Sequence, residues 1–195
     1  MKVCTFGGLT VYCGRSPFAI NWESQKARLL FCYLLITYDQ WVHRDKLTEL
    51  LWPGCDMVSG AKNFKTTLSR LRKSFYSSEC SNPVITQGEA IRLNFEHMDA
   101  DCSRFRNEAI LGLKLMSRGD MKGAKEHLEA AQDVYLGDFL PEEPFDQFIS
   151  VARRELAELH FSVLNALEKV YGSQEKPDAL EALLTLRKVP LVQSL

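Results

Sequence analysis

Residues 62–75 read KNFKTTLSRLRKSF. The stretch carries Lys62, Lys65, Arg70, Arg72 and Lys73 and no acidic residue. It also carries Phe64, Leu68, Leu71 and Phe75 at helical spacing. At about 100° per residue, Ala61, Phe64, Leu68, Leu71 and Phe75 fall within one narrow arc. This predicts a helix over 59–75 with that arc on the core and Ser59 as its candidate N-cap. The opposite face holds Lys62, Asn63, Thr66, Ser69, Arg70 and Lys73, and no acid lies between Asp56 and Glu79. A solvated helix usually mixes signs and gains i,i+4 pairs. One that forgoes them suits a polyanion whose phosphates supply the negative charge. Small Thr66, Thr67 and Ser69 between long cations permit close approach, so the cations can reach phosphates or guanine edges.

Upstream, KVCTF and LTVYC alternate in polarity around Gly7-Gly8, and RSPFAIN follows. They predict three short strands over 2–21 that open the chain as a small antiparallel sheet. SQKARLLFCYLLIT, 24–37, has a broad apolar face and predicts a buried helix. Leu47, Leu50 and Leu51 make the inner face of a short helix over 44–52, which Pro53-Gly54 stops. After the basic helix, VITQGEAIRLNF (84–95) reads strand, turn, strand with Gly88 and Glu89 in the turn. Strands, three helices and a hairpin, in that order, are the order of a winged helix-turn-helix.

Beyond about residue 98 the chain reads as all helix. Cys102, Phe105, Ala109, Leu113 and Met116 form one stripe; Ala124, Leu128, Ala131 and Tyr135 form the next, with Gly119-Asp120 between them. That predicts an antiparallel helix pair. The loop LGDFLPEEP leads to a long helix over 145–172, whose seam is Phe145, Ile149, Ala152, Leu156, Leu159, Val163, Ala166 and Val170. Leu164, Leu167 and Tyr171 widen it. A last helix is expected over 176–188, and VPLVQSL then reads as the start of a further repeat, as in a fragment of a longer regulator.

Charge follows the same division. Residues 1–95 hold 12 basic and 7 acidic residues, +5; residues 96–195 hold 12 and 18, −6. The basic half suits a polyanion and the acidic half a different partner. The six cysteines form no CxxC pair and match no zinc spacing, so they are expected to be free thiols of a cytoplasmic protein. The four histidines are scattered, and no metal or other cofactor is expected. No apolar run is long enough to cross a bilayer, so no membrane association is expected. MKVCTF lacks the apolar core of a signal peptide. No P-loop, nucleophile elbow or HExxH is present, so no enzymatic activity is expected.

Val42, Arg44, Asp45, Leu47, Leu51 and Trp52, then Thr66, Ser69, Arg70, Leu71 and Arg72, match the pattern (V)(S)RDxLxxxLW followed by NxxxTxxSRLR. The front half thereby resembles the OmpR-type winged helix of SARP-type bacterial transcriptional activators. Phe105, Gly119, Asp120, Ala124, Leu128, Tyr135, Gly137 and Phe139 match signposts of the bacterial transcriptional activator domain, a tetratricopeptide-like module. The resemblance covers nearly all of residues 1–190. It implies an α-rich chain of two domains: a winged helix-turn-helix with small antiparallel sheets over 1–97 and an all-α helical-repeat module over 98–195, cut short at its end. It also implies a cytoplasmic, double-stranded-DNA-binding transcriptional regulator, an activator in that family, whose second paired helix enters the major groove.

Carried over by residue, the resemblance places Lys62, Thr66, Thr67, Ser69, Arg70, Arg72 and Lys73 at DNA, with Arg44 on the backbone and Arg70 at a base edge. The hairpin departs from the family pattern: Glu89 stands at its tip, and Arg92 is the basic residue that remains. RNA polymerase or other regulator domains are the partners implied for the helical module, with homodimerisation open. The alternative reading is a protein-interaction scaffold whose winged helix no longer binds DNA.

Overall fold

In the computed structural model, residues 1–14, 16–76, 80 and 82–173 are described. The chain is helix-rich with two small sheets among these residues. It divides into two compact units. One comprises Met1–Cys4, Leu9–Ala100 and Gln147–Ile149; the other comprises Thr5–Gly8, Asp101–Asp146 and Ser150–Leu195. The expected helix over 176–188 and the terminal VPLVQSL lie outside the described residues.

In the first unit, β1 (Lys2–Cys4), β2 (Thr10–Cys13) and β3 (Ser16–Phe18) pair antiparallel. Six elements follow: α1 (Gln25–Ile36), β4 (Val42–His43), α2 (Arg44–Leu51), α3 (Met57–Ser74), β5 (Val84–Gln87) and β6 (Ala90–Leu93). A strand that the sequence did not suggest, β7 (Asp99–Ala100), adds to β1 in parallel, giving the order β3-β2-β1-β7. The second sheet, β4-β6-β5, joins the hairpin to the residues that start α2.

The helices of this unit close around aromatic and aliphatic side chains. Ser24 caps α1 by accepting the Ala27 N–H at 3.2 Å. Its helix buries Ala27 and every residue from Leu29 to Leu35, which explains why it reads as apolar nearly all round. Phe31 packs on Phe75 and Trp22, with ring centroids 5.1 and 5.7 Å away. Leu47, Leu51, Phe64, Leu71, Ile91 and Leu93 are also buried. A Cβ on Gly60 would come 2.8 Å from Thr48 Cγ2, so α2 and α3 approach closely there and a larger residue would have to displace Thr48.

The second unit contains α4 (Asp101–Ser117), α5 (Met121–Val134) and all but the first turn of α6 (Gln147–Ser173). A Cβ on Gly112 would lie 2.7 Å from Leu128 Cγ, which marks the tight crossing of α4 and α5. Asp120 caps α5 through the Gly123 N–H at 2.9 Å. Asp101 opens α4 and is buried. It accepts from the Thr5 N–H at 2.8 Å, the Thr5 hydroxyl at 2.5 Å, the Phe6 N–H at 3.1 Å and the Cys102 N–H at 2.7 Å. Phe6 then packs at a tilt against Tyr135 and meets Phe105 edge-on. Arg153 donates to the carbonyls of Phe139, Leu140 and Glu143 at 2.7, 2.6 and 3.1 Å, so one guanidinium fixes the loop before α6.

Several expectations are corrected here. Cys13 and Cys80 are joined as a disulfide with Cα atoms 5.7 Å apart, rather than both being free thiols. Their 67-residue separation hid the pairing, which arises only when β2 meets the chain beyond α3. The N-cap of α3 is Asp56, not Ser59; its carboxylate accepts the Val58 and Ser59 N–H groups at 3.0 Å each. The Ser59 hydrogen bonds hold the Asp56 carboxyl below its ordinary pKa. Phe145 lies in the loop before α6, 95% exposed, and is no part of the seam. Leu159 is half-buried, whereas Ile149, Ala152, Leu156, Val163, Ala166 and Val170 are buried. Leu113 and Met116 are half-buried, and Gly112 takes the inner position on α4.

Candidate nucleic-acid interface

The inner face of α3 is Gly60, Phe64, Thr67, Leu71 and Ser74, followed by Phe75. The helix is thus turned about its axis from the apolar arc of the sequence. Ala61 is exposed and Leu68 half-buried, while Thr67 and Ser74 go inward. The close approach of Thr48 favours a small residue at Gly60, and Thr67 is buried with it on the inner face. Ser74 is satisfied inside, because its hydroxyl accepts the Glu23 N–H at 3.1 Å and donates to the Arg70 carbonyl at 3.0 Å.

This rotation decides which expected DNA contacts are presented. Lys62, Thr66, Ser69, Arg70 and Lys73 are exposed together, and Lys65 joins them. Thr67 is only 3% exposed and lies on the inner face. Arg72 is half-buried, with Nε buried and without a hydrogen-bond partner. Among the described residues no acidic group forms an ion pair with Lys62, Lys65 or Arg70.

The other expected cations are held by acids from elsewhere in the unit. Lys73 reaches Glu23 at 3.1 Å. Arg44 forms an ion pair with Glu89 at the hairpin tip, and its backbone N–H donates to the Glu89 carbonyl at 2.8 Å. Arg92 forms an ion pair with Asp39 and lies 4.9 Å from the ring centre of Trp41. Its side chain is only 17% exposed. Strand pairing explains that placement: Val42 faces Ile91 across β4 and β6, which brings Trp41 and Arg92 side by side. Arg92 is packed into the sheet rather than extended from it. The acid-free run seen in the sequence is therefore acid-free only along the helix.

Between α3 and the hairpin runs a groove of about 430 Å³. Phe64, Leu68 and Ile91 are among its apolar lining residues, and Arg44, Lys62, Lys65 and Glu89 are its charged ones. Sequence reasoning passed over Lys65 as a site residue, although it stands in the same basic run. It also passed over Glu23 and Asp39, which no local pattern connects to their partners. Among the described residues no group of three His, Cys, Asp or Glu side chains can hold a metal ion. No helix among them is long and apolar enough to cross a membrane.

No family model matches the chain, and no curated protein matches it. Among solved structures it is similar to EmbR of Mycobacterium tuberculosis, solved in complex with a low-affinity phosphopeptide. The TM-score is 0.75 at 21% identity, over 95% of this chain and 49% of that one. The two chains share a fold. This chain spans about half the length of that structure.

Proposed function

We propose that the protein is a sequence-specific DNA-binding transcriptional regulator in which α3 is the reading helix of a winged helix-turn-helix. The observation that carries this is the outward face of α3: Lys62, Lys65, Thr66, Ser69, Arg70 and Lys73 stand exposed together on a helix whose inner face is fixed in a core. Clustered cations on one exposed helix face attract the phosphate backbone, and small hydroxyl residues between them permit close approach. Arg70 is the candidate for a guanine edge, because its fork matches the paired acceptors there. Lys62 and Lys65 serve the backbone. Thr67, Arg72 and Arg92 serve the packing of the unit, and Arg44 and Lys73 serve DNA only after exchanging an internal carboxylate for a phosphate.

In this reading residues 1–97 form the DNA-binding domain. Residues 98–195 form a tetratricopeptide-like module that contacts RNA polymerase or other regulator domains, in a cytoplasmic SARP-type activator. Enrichment of duplexes from a random library, followed by binding of Lys62→Ala and Arg70→Ala, tests the DNA-reading part. An enriched sequence whose binding both variants weaken is expected. Lack of enrichment, or enrichment untouched by both variants, argues against it. The second reading, a protein-interaction scaffold, is favoured by the pairing of Arg44, Lys73 and Arg92 with Glu89, Glu23 and Asp39. Duplex binding that is absent at low salt favours the scaffold.

A further inference from the structure

Val58, in the first turn of α3, is 81% exposed. Ala61, three residues on, is exposed as well. Val58 precedes Lys62 by four residues and Lys65 by seven, so these side chains follow one another along a single stripe that continues to Ser69. An isolated apolar residue at a surface needs no explanation. Its position here does, because the rest of the stripe is cationic or hydroxylated and suited to a polyanion. An apolar side chain in that line faces whatever the cations bind.

On DNA, the apolar group that a base pair presents in the major groove is the thymine C5-methyl. In helix-turn-helix docking the N-terminal residues of the reading helix meet base edges. Resting on the assignment of α3 as the reading helix, we infer that Val58, backed by Ala61, contacts a thymine methyl group near one end of the bound site. Val58 is then a specificity-determining residue that favours T·A over C·G at that step, since cytosine has an amino donor and no methyl group there. Lys62 and Lys65 hold the helix against the backbone, and Val58 supplies discrimination without a hydrogen bond.

The test uses the full chain and a duplex enriched from a random library. Each thymine is replaced in turn by deoxyuridine, which removes the methyl group and keeps every hydrogen-bonding group. At one or two positions the replacement should weaken binding about fourfold, the equivalent of ~0.8 kcal/mol for one buried carbon group. That sensitivity should vanish in Val58→Ala. Coincident circular dichroism of the two proteins checks that this exposed position leaves the fold intact. An enriched duplex insensitive to deoxyuridine everywhere, or equally sensitive with Val58→Ala, overturns the inference and leaves α3 as the reading helix. Lack of any enriched duplex overturns the DNA-reading assignment, and the inference with it.

Discussion

The Arg44 guanidinium is closed onto the Glu89 carboxylate, so the tip of the hairpin neutralises the first residue of α2. Both side chains are about half exposed, a setting in which an ion pair contributes ~0–1 kcal/mol to stability. Its larger effect is on surface charge, because it neutralises one cation of the surface that flanks α3.

Glu89→Gln should therefore strengthen low-salt binding to DNA of any sequence. The dependence of log affinity on log salt should steepen by about 0.9, the increment for one added phosphate contact. Thermal stability should change little. Titrations at three salt concentrations measure this. An unchanged slope would place Arg44 and the hairpin tip away from the DNA.

Much of the chain's order can be read from local pattern. Ser24 before an apolar run gives the start of α1, and Pro53-Gly54 follows the end of α2. Gly88 and Glu89 between alternating residues give the hairpin. The phase of α3 could not be read in this way. Counting apolar residues put Ala61 and Leu68 inside and left Thr67 outside. Close packing at Gly60 and internal hydrogen bonding of Ser74 rank small polar positions above a larger apolar one. The ionic partners of the basic residues were also hidden. Glu23 lies 50 residues from Lys73, and Asp39 belongs to the turn after α1. The Thr5–Asp101 contact spans 96 residues, so neither residue's surroundings announce it.

Asp101 gathers four hydrogen bonds in a buried position, three of them from Thr5 and Phe6. Asp101→Ala leaves these donors without an acceptor and should cost about 3 kcal/mol or more, since hydrogen bonds to a charged group contribute ~1.5–3 kcal/mol each. Urea denaturation followed by far-ultraviolet circular dichroism should show the loss. A midpoint equal to the parent's would mean that Thr5 and Phe6 find other partners.

His160 stacks on Tyr135 with ring centroids 3.9 Å apart and is hydrogen-bonded to Gln132 Oε1 at 2.8 Å. Burial lowers its pKa to about 4, from an ordinary value near 6.5. The folded state thus binds this proton less readily than the unfolded chain. Its contribution is present above pH ~6.5 and is lost progressively as pH falls toward 4. Stability of the helical unit should fall over that window, and His160→Phe should flatten the fall by removing the titrating group. A pH profile identical in parent and variant would contradict this assignment.

Leu156 is buried on α6 and Leu159 is half-buried. Leu156→Ala should cost ~2–5 kcal/mol, the range for a core leucine, and Leu159→Ala clearly less. Equal losses, or a reversed order, would mean that the inner face of α6 is set differently. Either variant should keep non-specific DNA binding if residues 1–97 act as a separate domain. Loss of DNA binding together with loss of helical order would place both activities in one cooperative unit.

The most direct measurement is the salt dependence of duplex binding by the full chain beside Lys62→Ala and Arg70→Ala. The parent should bind DNA at low salt with a steep negative slope. Lys62→Ala should weaken all sequences alike and reduce the slope by about 1, while Arg70→Ala should cost ~1–3 kcal/mol and relax preference at one base position. Binding that is absent at low salt, or identical in all three proteins, would contradict the assignment of α3 as the helix that reads DNA.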